Sequence, residues 1–130
     1  MMTRLSQAAV AGLLLAGLLA TAARGVEPKK LVGKYTCKGV NPDGEKFDHP
    51  AEIILVKGKT LLIYFDSDEP DIGLCALRGN KLTVRFQGVK DPKSTGEAEY
   101  TLTRGGVLKG RWRYKGDKWM PETLIPMKKK

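Results

Sequence analysis

The chain has 130 residues, 23 Lys and Arg against 14 Asp and Glu, and a formal net charge of +9. That length holds one domain, and 42% hydrophobic with 28% charged residues excludes both a disordered chain and a wholly membrane-embedded one. A single histidine excludes His-rich metal sites and any mechanism that needs two imidazoles.

Residues 1–22 read as a secretory signal peptide. Arg4 supplies the positive start, Ala8 to Leu19 is apolar, and Ala20-Thr21-Ala22 offers the small-x-small pattern of a cleavage site. Cleavage after Ala23 fits nearly as well. The apolar stretch is shorter than the ~20 residues of a membrane-spanning helix, and no cysteine follows it to carry a lipid. Arg4 is the only charged residue in this segment, so the expected mature chain has 108 residues and a charge of +8. The expected compartment is secreted or periplasmic, with no transmembrane span in the mature form. Residues 23–30 follow as a polar lead-in, 31–126 as the folded domain and 127–130 as a basic tail.

From Leu31 onward no window keeps a 3.6-residue period. Short β-rich runs alternate with turn chemistry, at about 32–40, 47–57, 60–66, 72–78, 81–87, 96–103, 107–115 and 118–125. The punctuation is Asn41-Pro42-Asp43-Gly44, Gly58-Lys59, Asp68-Glu69-Pro70-Asp71, Gly79-Asn80, Lys90-Asp91-Pro92-Lys93, Arg104-Gly105-Gly106 and Gly116-Asp117. Short connections favour sequential antiparallel pairing. An eight-stranded meander tends to close, because closure removes exposed edges. The expected fold is all-β, an eight-stranded antiparallel meander barrel.

Opposed residues of a hairpin share a face, so turn length sets register. A two-residue Gly79-Asn80 turn puts Leu77 opposite Leu82, Cys75 opposite Val84 and Gly73 opposite Phe86, an apolar face. A three-residue Arg104-Gly105-Gly106 loop puts Leu102 opposite Leu108, Tyr100 opposite Gly110 and Ala98 opposite Trp112. Its other face opposes Thr101 to Lys109, Glu99 to Arg111 and Glu97 to Arg113. The expected inward aromatics are Tyr35, Phe65, Phe86, Tyr100, Trp112, Tyr114 and Trp119. Two features resist this pattern. The runs Ile53-Ile54-Leu55-Val56 and Leu61-Leu62-Ile63-Tyr64-Phe65 are apolar on both faces, so one face must meet the lead-in, a partner chain or a ligand. Pro121 implies an edge or a bulge in the last strand, and a bulge there would turn Glu122 inward.

Four chemistries bear on these positions. For catalysis, His49 is the one imidazole, no Gly-x-Ser-x-Gly elbow exists, and the acids cluster in a turn; the expectation is no enzyme and no cofactor. For metal, Asp66, Asp68, Glu69 and Asp71 crowd four acids into six residues, but the spacing lacks the central Gly of an EF-hand loop and reads as a solvated turn. For polyanions, Lys109, Arg113, Lys115 and Lys118 form a candidate basic face for an acidic envelope polymer, lipid or protein; export argues against nucleic acid, and none is expected. For a cavity, Tyr35, Phe65, Tyr100, Trp112 and Trp119 are the candidate lining of a site for a small, largely apolar ligand inside or at the mouth of the barrel. That fourth reading is the leading one. Cys37 and Cys75 both face inward in a compartment that permits a disulfide. They lie on the first and fourth strands, which a regular meander does not pair and a flattened barrel brings together, so their bonding stays open.

Gly33-Lys34-Tyr35, Gly39-Val40-Asn41-Pro42-Asp43-Gly44, Ile72-Gly73-Leu74, Gly110-Arg111-Trp112 and Glu122-Thr123-Leu124 occur in an order that resembles small secreted bacterial proteins with avidin-like or lipocalin-like up-and-down barrels. The resemblance covers about residues 31–125 and implies a fold and a compartment but no activity. The two cysteines, the Lys-rich surface and the acidic loop depart from it. The polar ring of a biotin site is not recognisable, and biotin binding is not implied.

Overall fold

The computed structural model describes residues 26–127. The expected signal peptide, the first residues of the lead-in and Lys128-Lys129-Lys130 lie outside the described residues.

Eight strands close into one antiparallel barrel in sequence order. They are β1 (Gly33–Val40), β2 (Lys46–Val56), β3 (Thr60–Phe65), β4 (Asp71–Arg78), β5 (Lys81–Gly88), β6 (Thr95–Leu102), β7 (Leu108–Tyr114) and β8 (Met120–Pro126). β1 pairs with β8 to complete the ring, from Tyr35 opposite Pro126 to Gly39 opposite Glu122. Every run expected to be a strand is one.

Alternation drives the assembly. Along β5, Leu82, Val84 and Phe86 are buried while Lys81, Thr83, Arg85 and Gln87 face solvent, so pleating alone sorts the strand into core and surface. The same parity gathers Ile53, Ile63, Leu82, Val84, Tyr100, Leu108 and Leu124 into the closed interior. Both hairpin registers derived from turn length hold, residue for residue. Gly79 takes the positive φ that its tight turn demands, 61°. On the outer face Arg111 meets Glu99 Oε1 at 2.8 Å and Arg113 meets Glu97 Oε2 at 2.8 Å.

One pairing differs from expectation. A two-residue Gly116-Asp117 turn would set Tyr114 opposite Trp119, both inward. The connection instead runs over residues 115–119, and Trp112 pairs with Met120 and Gly110 with Glu122. That one-residue change exchanges the two faces of β8. Trp119 is therefore outside the barrel, its ring under the guanidinium carbons of Arg111 and Arg113, each 4.2 Å from the ring centroid. Glu122 is inside by regular alternation, without a bulge. Pro121 falls one residue beyond the last β1 partner, where β8 has a neighbour on one side only.

The lead-in is not merely polar. Its end folds as a 3₁₀ turn, Pro28–Leu31, that drives Leu31 into one end of the barrel. Tyr35 Oη donates to the Leu31 carbonyl at 2.6 Å, and the Val26 N–H donates to Gly79 O at 3.2 Å. This end is thereby plugged. The doubly apolar strands stay uncovered by it: Ile54, Tyr64, Ile72 and Leu74 lie on the outer face of β2–β4, with Leu74 57% exposed.

Cys37 and Cys75 are free thiols in the structure. Cys37 on β1 opposes His49 and Leu124, and Cys75 on β4 opposes Leu61 and Val84, with β2 and β3 standing between their strands. Burial pushes the Cys75 thiol up to about 12 and raises Cys37 as well.

Two measurements check this architecture. Arg111→Glu destabilises, and adding Glu99→Arg recovers about 0.2–1 kcal/mol relative to simple addition of the two single changes; strict additivity in a double-mutant cycle would contradict the pairing. Thiol titration of unreduced protein yields two reactive groups in denaturant and slow reaction in the native state; fewer than two would show a bond.

Candidate functional site

In a meander, alternate connections share an end. The β1–β2, β3–β4, β5–β6 and β7–β8 connections lie opposite the Leu31 plug, and between them the barrel opens into a cavity of about 210 Å³. Pockets for drug-sized ligands occupy roughly 300–1,000 Å³, so the space suits one small ring or a short chain.

The wall is aromatic. Phe65 and Phe86 pack at 6.0 Å between centroids, Phe86 and Tyr114 at 5.8 Å, and Trp112 and Tyr114 at 5.1 Å, all near edge-to-face. Phe47 closes the circle, edge-on to Trp112 at 5.9 Å and stacked on His49 at 5.2 Å. These rings come from β2, β3, β5 and β7, each placed inward by strand parity. Trp112 Nε1 donates to the Val40 carbonyl at 3.2 Å, which fixes its indole.

The floor is Glu122, 6% exposed and the buried charged residue of the described chain. Tyr100 donates its hydroxyl to Glu122 Oε2, and the Cys37 thiol bonds the same carboxyl. The row Tyr100–Gly110–Glu122 explains how the ring reaches across β7. Gly110 has no side chain to intervene, and a Cβ there would sit 2.7 Å from the Tyr100 Cα. Among the described residues, no Lys or Arg nitrogen lies within 4 Å of Glu122. Burial pushes its carboxyl up to about 7, against the lowering effect of the Tyr100 and Cys37 bonds. At the rim, burial and the nearby Glu69 raise Asp71 to about 6, opposed by His49 and by the Tyr114 hydroxyl bond. Tyr114 in turn is raised to about 12 by burial and Asp71.

The five candidate ligand residues divide. Phe65 and Trp112 line the cavity. Tyr100 lies beneath it and acts through Glu122. Tyr35 is at the plugged end with its hydroxyl bonded to Leu31 O, and Trp119 is outside the barrel. Phe47, Phe86, Tyr114, Asp71 and Glu122 join instead. Phe86 and Tyr114 follow from inward parity; Asp71 and Ser67 follow from the rule that alternate connections share an end. Of the polyanion candidates, Lys109, Lys115 and Lys118 are exposed, while Arg113 is held by Glu97 through both Nε and Nη2 and stacks on Trp119. Among the described residues no group of three or more His, Cys, Asp or Glu is arranged to hold a metal ion.

No protein-family model matches the chain, and no curated protein matches it. Among solved structures it is similar to a redesigned β-barrel, with a TM-score of 0.68 and 14% identity over 82% of this chain and 99% of the other. A likeness at that identity carries the fold alone.

Glu122 makes stability depend on pH. Its folded value, about 7, lies above the ordinary 4.5, so the folded chain holds an extra proton between those values. Its contribution to stability therefore falls as pH rises from about 4.5 to about 7 and is level above that. Glu122→Gln keeps an acceptor for Tyr100 and has no charge to bury. Denaturant titrations at about pH 5 and about pH 8 should show the native chain losing roughly 2–3 kcal/mol more than the variant over that interval. Equal losses in both chains would place the titration elsewhere.

Proposed function

We propose that the protein is an exported, non-catalytic β-barrel that binds a small, largely apolar ligand at the mouth of the barrel. The aromatic-lined cavity carries this reading: it is an open space ringed by aromatic side chains at one end of a barrel whose middle is filled by packed side chains, whereas at the other end Leu31 closes the core beneath a wider groove of about 860 Å³ that lacks such a ring of aromatics. Side chains that face a cavity rather than one another leave apolar surface for a ligand to cover, at about 25 cal/mol per Å². Export is supported by the pattern of residues 1–22. The absence of catalysis is supported by the sequence, with one imidazole and no serine elbow, and by Cys37. Burial and the adjoining Glu122 hold that thiol protonated, the opposite of an activated nucleophile.

The two tryptophans give the test an internal control. Titration with benzyl alcohol should change tryptophan emission in the full chain and in Trp119→Phe, whose ring is outside the barrel. Trp112→Phe should lose most of the change. The midpoint should move by less than about twofold between low and high salt. No response to benzyl alcohol, together with binding of an acidic polymer that weakens steeply with salt, would instead favour docking on the Lys109, Lys115 and Lys118 face.

A further inference from the structure

We propose that the ligand of the mouth is a small organic ammonium, its apolar body against the aromatic wall and its charged head directed at Glu122. The inference rests on the mouth-binding reading and adds the chemistry of the ligand.

Charge distribution is the first observation. In a chain of net charge +9, the cavity is lined by Asp68, Glu69, Asp71 and Glu122 and by no Lys or Arg. An anionic ligand, a fatty acid or a phosphate, would meet four carboxylates and no counter-charge. The second observation is the floor itself. A carboxylate taken out of water is stabilised by a cation or by hydrogen bonds, or else takes up a proton. Tyr100 and Cys37 supply two donors from below. An ionised carboxylate accepts about four, so acceptor capacity remains on the cavity side, where no basic side chain answers it. A neutral ligand would cover the rings and leave that capacity unused; an ammonium N–H fills it.

The wall fits the same ligand. Ring faces attract cations, by ~0.5–1 kcal/mol when exposed and by ~2 when desolvated. Trp112, Tyr114, Phe86 and Phe65 surround the approach to Glu122. A bare metal ion fits poorly, because rings are not its ligands and the described residues hold no cluster to chelate it. The cavity of about 210 Å³ limits the ligand to one ring or a short branched chain.

Binding is then linked to protons. Glu122 is faced by Tyr100 from β6 and Cys37 from β1, both neutral donors, and across the cavity by Asp71 of β4, Tyr114 of β7 and His49 of β2. An arriving ammonium favours the ionised carboxylate and expels its proton, so affinity rises between about pH 5.5 and about pH 8.

Calorimetric titration of the full chain at about pH 8 with benzylamine and with benzyl alcohol, its neutral analogue, tests the inference. Benzylamine should bind at least about tenfold more tightly. In Glu122→Gln the preference should fall to about threefold or less, with affinity for benzyl alcohol retained, and Asp71→Asn should lower the preference partially. Benzyl alcohol binding as tightly as benzylamine would overturn the ammonium head and leave mouth binding standing. An amine preference that survives in Glu122→Gln would do the same for the assignment to Glu122. If neither probe binds, the mouth reading fails and this inference with it. Should Glu122→Gln not fold, the amine-to-alcohol ratio of the native chain and its rise with pH decide the matter alone.

Discussion

The pairing of β7 with β8 is the constraint on which the mouth of this barrel depends. In a sheet whose side chains alternate with a period of two, a register is a statement about faces, and one residue of slip reverses every face on the strand. Setting Gly110 beside Glu122 puts a carboxylate under the cavity and an indole on the outer wall. Closure then locks the choice. β8 must also satisfy β1, where Gly39 opposes Glu122 and Cys37 opposes Leu124, and a slipped β8 would bring Thr123 and Ile125 inward in place of Leu124. Leu124 is fully buried. Exchanging it for a threonine would leave a hydroxyl to satisfy in an apolar interior.

The two ends of the barrel are built differently by the same alternation. At one end Leu31 enters from the chain that precedes β1, and Tyr35 gives its hydroxyl to the carbonyl of that residue. At the other end the rings of β2, β3, β5 and β7 stand around a space, and beneath it Tyr100 donates to Glu122. A tyrosine–carboxyl pair in the interior needs its geometry held, since an unmatched polar group there costs ~1–3 kcal/mol. Gly110 lets β6 lie this close: a Cβ at that position would run into the backbone of Glu99 and Tyr100.

How far the sequence could be read depended on the turns. Gly79-Asn80 and Arg104-Gly105-Gly106 each admit one loop length, so β4–β5 and β6–β7 were legible down to the Glu99–Arg111 and Glu97–Arg113 pairs. Gly116-Asp117 looks like a two-residue hairpin turn, yet the connection takes five residues, 115–119. No local residue announces the difference. What selects it is tertiary: the longer loop lets Trp119 fold back under Arg111 and Arg113 while they hold their glutamates. Trp119 was misplaced for that reason, and Glu122, left open at Pro121, turns inward by the same register. Tyr35 was correctly read as inward, but its end of the barrel depends on the stagger of strands, which a local pattern does not contain. The acidic 66–71 loop was visible as a turn. Its place over the aromatic wall follows from topology, because the third-to-fourth and seventh-to-eighth connections share an end in any meander.

The basic exterior and the acidic mouth act over different ranges. Charges on the outer strands interact through water and salt, where the Debye length is about 8–10 Å; two of the arginines there are also paired with glutamates. A ligand inside the mouth is within contact distance of Glu122, in surroundings less polar than water, where the same charge separation counts several times more. The net charge of the chain therefore governs what drifts toward the surface, and the few groups at the cavity floor govern what stays. A cation approaching this protein meets a weak, screened repulsion outside and a strong, local attraction once the rings have replaced its water. For an anion the order is reversed: the exterior draws it in, and the mouth offers it four carboxylates and no donor of opposite charge. The net charge of the chain and the charge of its mouth are thus opposite in sign.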